Sequence, residues 1–167
     1  MQYRVSAKQH TSKMCFVCGV ENKFGLHTNF YELENDELVA VFTPCEEHQG
    51  YPGRLHGGIA ATILDETIGR AIMKTHQDVW GVTVEITIRY RKPIPLDGEI
   101  RVRSRIVRET NRSFEGTGEI LLDDGSVAVE GRGKYIKLPI DKIADFDYDE
   151  QAWKVIPSED DPEAFEF

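Results

Sequence analysis

RLHGGIAATILDETIGRAI, residues 54–72, is the stretch on which the fold turns. Ile59, Ile63, Leu64, Ile68, Ala71 and Ile72 recur at helical spacing, with Ala60 and Ala61 between them. That period predicts a helix ending near Thr75–His76. Few charges interrupt it, so the helix is buried on most sides. Two features do not suit a plain core helix: it starts on bare backbone at Gly57 and Gly58, and it carries Asp65 and Glu66 at its middle.

The period changes on either side. Downstream, Val82, Val84, Ile86, Ile88 and Tyr90 alternate with Thr83, Glu85, Thr87, Arg89 and Arg91, which reads as a half-buried strand. Three more strands follow in "IRVRSRIVRE", "RSFEGTGEILL" and "SVAVEGRGKYIKL", the last two joined by a turn at Asp123–Asp124–Gly125. Upstream, residues 27–34 and 37–43 read as two strands with a turn at Glu34–Asn35–Asp36. One helix cannot cover both faces of a doubly wound sheet. The expected class is α+β, a curved antiparallel sheet wrapped around one long central helix. Such a sheet must hide its edge strands, so a second subunit is expected.

The 167 residues favour one compact domain, read as residues 1–140, followed by an acidic tail over 141–167. The domain holds 19 acids against 18 bases, the tail 10 acids against 2 bases. This balance argues against nucleic-acid binding. The tail reads as a solvated extension, with Trp153, Phe165 and Phe167 leaving docking open. No apolar run is long enough to span a membrane, and the polar start lacks a signal-peptide core, so a soluble, cytoplasmic protein is expected. Cys15 and Cys18 form a Cys-x-x-Cys pair, and Cys45 and His48 a Cys-x-x-His pair. Together they offer four residue types that suit structural zinc. A loop of reduced thiols is the other reading, and no cofactor is expected.

The helix supplies the candidate chemistry. A helix N-terminus has unpaired N–H groups and a partial positive charge, and Gly57 and Gly58 place no side chain in the way of an approaching carbonyl oxygen. Glu66 and Arg70 sit at i and i+4, which suits a surface ion pair. Asp65 has no such neighbour, so it is the candidate catalytic carboxylate. Gly57 and Asp65 lie eight residues apart, about 12 Å along a helix axis. If both act on one carbonyl, they come from two antiparallel helices of a dimer.

His56-Gly57-Gly58, Asp65 and Gly69, flanked by "CFVCGVENKFGL", "EHQGYPG" and "GVTVEITIRYRKPIP", resemble the signature of the PaaI-type hotdog-fold acyl-CoA thioesterases over residues 14–138. The resemblance implies a hotdog fold and a homodimer, or a tetramer of such dimers, with sites at the subunit interface. It implies that Asp65 is nucleophile or general base, that the Gly57 N–H of the other subunit polarises the thioester, and that Thr83 positions water. Family members often carry an asparagine six residues before the histidine. This chain has Gly50 there, leaving Gln49 or His48 to take the role. Arg54, Arg89, Arg91 and Lys92 are candidates for the phosphates of CoA, and Ile63, with Ile59 and Ile68, for an acyl slot. The alternatives are an acyl-CoA binding or sensing protein without turnover and a hydratase. The acyl class, and CoA against acyl carrier protein, stay open.

Overall fold

The structure is a computed structural model describing residues 1–167. Eight strands form one antiparallel sheet: β1 (Gln2–Lys8), β2 (Asn29–Leu33), β3 (Leu38–Phe42), β4 (Trp80–Tyr90), β5 (Ile100–Glu109), β6 (Ser113–Leu121), β7 (Val127–Leu138) and β8 (Ala164–Glu166). Their spatial order is β4-β7-β6-β5-β3-β2-β1-β8. The single long helix, α1, runs from Gly57 to Arg70 and continues as a 3-10 turn over Ala71–Lys74. The central helix and the six strands around it are those the periodicities predict. No helix is long and apolar enough to cross a membrane.

Ile63, Leu64 and Ile68 of α1 are fully buried against the sheet. The sheet makes room for them with four glycines that face one another across β6 and β7, Gly116 with Gly133 and Gly118 with Gly131. A Cβ on Gly116 would lie 2.6 Å from Ile68 Cγ2, and one on Gly118 3.0 Å from Ile68 Cγ1. The bare tile lets the helix approach more closely than ordinary strands allow.

The strand pattern departs from the sequence reading at β4. Its pairing with β7 slips between Thr83 and Glu85, which leaves Val84 as an extra residue, 55% exposed. One inserted residue inverts the parity of a strand. Strict alternation puts Thr83 on the face opposite Ile88 and Tyr90. With the bulge, all three turn towards α1: Thr83 bonds Asp65, Ile88 packs into the core, and Tyr90 bonds Gly57.

The two ends of the chain extend the sheet beyond the six expected strands. β1 pairs with β2 on one side and β8 on the other. The tail, read as a solvated extension, instead packs on the body. Phe165 is buried with Tyr31, Leu33 and Val39, and Asp161 binds Lys8 at 2.6 Å and accepts from the Tyr31 hydroxyl at 2.8 Å. Widely spaced aromatic residues decide the outcome here, and the excess of acid does not.

Candidate active site

Asp65 is held from two strands. Thr83 of β4 donates to its Oδ1 at 2.9 Å, and the Tyr135 hydroxyl of β7 donates to the same oxygen and to the Asp65 carbonyl, each at 3.1 Å. Thr83 and Tyr135 are register partners across β4 and β7. Burial, followed by the Asp65 charge, pushes the Tyr135 phenol far up, so it remains a proton donor. Asp65 has no partner on its own helix; its donors come from β4 and β7. Oδ2 has no protein donor, and Asp65 lines a cavity of about 240 Å3 together with Glu66, Arg70, Thr83, Tyr135 and Trp153. Tyr135 was missed in the sequence. A hydroxylated aromatic at an inward position of "KYIKL" was its only signal.

The start of α1 accounts for three of its first four N–H groups. His56 is the N-cap, and its Nδ1 accepts from Gly58 N–H at 2.9 Å. The His56 carbonyl accepts from Ile59 and Ala60 at 3.0 and 3.1 Å. The Gly57 N–H alone has no acceptor within the chain. The Gly57 carbonyl is fixed by the Tyr90 hydroxyl at 2.6 Å. Gly58 is thus a capped position, and His56 serves the helix.

The loop before the helix corrects one expectation, that for His48. His48 is buried, its Nδ1 accepting from Cys45 N–H at 3.2 Å and its Nε2 3.2 Å from the Phe24 carbonyl. Both ring nitrogens are engaged, so His48 pins the loop and does not face a ligand. Gln49 Oε1 accepts from Gly53 N–H at 3.3 Å within its own turn. Gly50 lies against His56, where a Cβ would come within 3.2 Å of His56 Cα. Ile63 is fully buried in the main core, so it is not the wall of an acyl slot.

The four proposed zinc ligands do not converge. Cys15 and Cys18 gather with Glu66, whose donor atoms lie within 4.8 Å of theirs, whereas Cys45 pairs with His48 elsewhere. Beside the first group the cation already present is Arg70. Its Nε donates to Glu66 at 2.7 Å, its Nη1 to the His10 carbonyl at 2.8 Å, and its Nη2 to Cys18 Sγ at 3.0 Å. The Glu66–Arg70 pair exists as expected, but Arg70 is buried and the pair is not a surface one. The hydrogen bond from Cys15, aided by the Arg70 charge and opposed by burial, brings the Cys18 thiol down to about 6, while the same bond and burial push Cys15 far up.

The basic candidates divide. Arg91 is committed to Glu130 through two bonds of 2.7 and 3.0 Å, and Lys92 donates to Ser126 at 2.8 Å. Arg89 stands 3.8 Å from Glu130 with its side chain 70% exposed. Arg54 is exposed in the loop before α1.

The family model described as Thioesterase superfamily matches residues 52–129, which includes α1 and Thr83 but ends before Tyr135. The chain is 31% identical over 114 residues to mouse acyl-coenzyme A thioesterase THEM4, covering 68% of this chain and 48% of that protein. It is 33% identical over 92 residues to human acyl-coenzyme A thioesterase 13, covering 55% of this chain and 65% of that one. It spans about half the length of the THEM4 proteins it matches. The solved structure of a thioesterase superfamily protein superposes with a TM-score of 0.67 at 28% identity, covering 72% of this chain and 58% of that one. The fold is the hotdog that the sequence resemblance implies.

Proposed function

We propose, from the premise that this chain belongs to the thioesterase superfamily, that it hydrolyses an acyl-CoA thioester to a free acid and CoA. One observation carries the reading: α1 leaves a single N–H free, at Gly57, and of the two carboxylates it turns to one cavity, Glu66 is taken up by Arg70 while Asp65 has no cation and is fixed by Thr83 and Tyr135. A thioester needs one donor for the developing oxyanion and one carboxylate to attack it or to activate water. Thr83 and Tyr135 hold Oδ1 of Asp65, which either attacks the carbonyl carbon to give a mixed anhydride that water then hydrolyses, or takes a proton from the water that attacks it. In both routes the C–S bond breaks, the CoA thiolate leaves and is protonated, and the water oxygen ends in the free acid. Exposed Arg54 and Arg89 suit the phosphates of CoA.

The same spacing supports a homodimer. Gly57 and Asp65 lie about 12 Å apart along the helix, too far for one carbonyl. β4 ends the sheet with an unpaired edge eleven residues long, and such an edge favours pairing with a second copy. Each site then takes Asp65 from one subunit and the Gly57 N–H from the other. The non-catalytic alternative draws on Gly50, which stands where the family asparagine is expected, and on His48, which is buried and committed to the loop.

The test measures thiol release from aryl, short-chain and long-chain acyl-CoAs. Asp65→Asn is expected to lower kcat at least a hundredfold, a loss of about 2.7 kcal/mol. Gly57→Pro removes the N–H at the first helical position, where proline is tolerated, and lowers kcat similarly with little loss of stability. Co-refolded in equal amounts, the two inactive proteins recover about a quarter of wild-type activity if sites are shared between subunits. No recovery rules out the shared site, and bound acyl-CoA without any wild-type turnover favours the sensing alternative.

A further inference from the structure

The cavity that holds Asp65 takes part of its wall from a segment outside the family match, through Phe146 and Trp153. That segment is anchored. Lys13 N–H donates to the Gln151 carbonyl at 2.8 Å, and Thr11 N–H to the Lys154 carbonyl at 2.9 Å. The Trp153 ring stacks on His10 at 5.4 Å and 9°, meets Trp80 at 4.7 Å, and lies 5.1 Å from the Arg70 guanidinium. Phe146 stands edge-on to Trp153 at 6.1 Å and packs on Trp80 at 5.6 Å. Three aromatic rings from β4 and the C-terminal segment thus form one packed wall beside the carboxylate.

We infer that Phe146 and Trp153 are specificity-determining residues that close the acyl pocket and restrict it to compact acyl groups, aryl or medium-chain. The inference rests on the thioesterase reading of Asp65. Size supports it: a cavity of about 150 Å3 takes a benzene-sized guest, and this chain's own share of the site, about 240 Å3, has the room for a ring with a short linker or a medium chain on its apolar side, formed by Met73, Trp80, Phe146 and Trp153, with Cys18, Glu66 and Arg70 on the other. An extended long chain needs a passage through the wall. Chemistry supports it as well, since aromatic side chains pack favourably against an aryl group edge-to-face or offset.

The experiment is isothermal titration of the Asp65→Asn protein, in which acyl-CoA binds and is not consumed, with phenylacetyl-, hexanoyl- and palmitoyl-CoA and with CoA itself. The compact acyl-CoAs are expected to bind at least tenfold more tightly than palmitoyl-CoA. Adding Trp153→Ala reduces that preference tenfold or more, and adding Trp153→Phe preserves it. Near-ultraviolet circular dichroism checks the fold, and Phe146→Ala carries the same comparison if Trp153→Ala does not fold. Palmitoyl-CoA binding as tightly as hexanoyl-CoA before any wall substitution overturns the inference, as does an unchanged preference in a folded Trp153→Ala protein. Wild-type protein that releases no thiol while this selectivity persists defeats the thioesterase reading and leaves the wall standing. If no acyl-CoA binds better than CoA, both fall.

Discussion

The two ends of α1 treat their polar groups in opposite ways. At the N-terminal end the backbone is accounted for except at one place, the Gly57 N–H, and the residues around it are half-buried or exposed. In the second half polar groups are tied down. Asp65 accepts from Thr83 and Tyr135, Glu66 holds Arg70, Thr67 donates to the Ile63 carbonyl at 2.6 Å, and Ser104 donates to the Thr67 carbonyl at 2.9 Å. A group left free near the surface costs little, because water or a ligand can serve it. A group left free in the interior costs the full desolvation penalty. The helix therefore keeps its available donor where it is cheap and holds one oxygen of its carboxylate with two donors that fix its direction.

Arg70 is the largest lever on the crowded end. Its three nitrogens reach acceptors on α1, on the segment after β1 and in the Cys-x-x-Cys loop, and its plane lies 4.3 Å from the Phe30 ring. Removing one member of a buried ion pair costs about 3–5 kcal/mol. Glu66 keeps some solvent contact, its side chain 31% exposed, so Arg70→Ala is expected at the lower end, about 3 kcal/mol. Calorimetry should show a melting temperature lower by roughly 6–12 °C for a chain of this size. Arg70→Lys should not restore it, because an ammonium cannot reach three acceptors set in a planar fork. Thiolate absorbance gives a second readout. The Cys18 transition, near pH 6 with the guanidinium present, should move to higher pH once that positive charge is gone.

Much of this fold is legible in the sequence because it rests on local period. The helix follows from Ile59 to Ile72, and the four long strands follow from their alternation. Asp65 and Gly57 stand out because a carboxylate within an apolar helix and glycines at its start break the pattern. What depends on contacts between distant segments is hidden. The β4 bulge leaves no mark on the residues that alternate through it, yet it decides that Thr83 faces Asp65. The glycine tile is visible only as "EGTGE" and "EGRGK", two short motifs whose meaning comes from being paired across strands. Arg70 looks like half of a surface pair because its other acceptors lie 52 and 60 residues away. The tail is misjudged because its charge is an average over the segment, while its docking depends on a few aromatic side chains.

Tyr135→Phe separates orientation of Asp65 from packing. The ring stacks on Phe114 at 4.9 Å and 10°, and phenylalanine keeps that contact, so stability should change by less than about 1 kcal/mol. The hydroxyl is one of two side-chain donors to Asp65 Oδ1. Its loss should lower kcat about tenfold, roughly 1.4 kcal/mol, with KM little changed. An unchanged kcat would mean that Thr83 alone sets the direction of the carboxylate. Thr83→Val with Tyr135→Phe would then show whether the crowded end of the helix has a spare donor.

His56→Ala is the smallest and most selective test, because it acts only at the open end. It removes the Nδ1 acceptor from Gly58 N–H and should cost about 1 kcal/mol, the usual loss of an N-cap. The melting temperature should fall by about 2–4 °C. His56→Asn supplies another capping acceptor and should recover most of that loss. Thiol release should follow a different order. The donor assigned to the thioester is the Gly57 N–H, which His56 does not occupy, so kcat should fall no more than severalfold in either variant. A hundredfold fall in both, with the melting temperature of His56→Asn near that of the wild type, would move His56 from the cap into the chemistry. The free donor at the helix start would then no longer act alone.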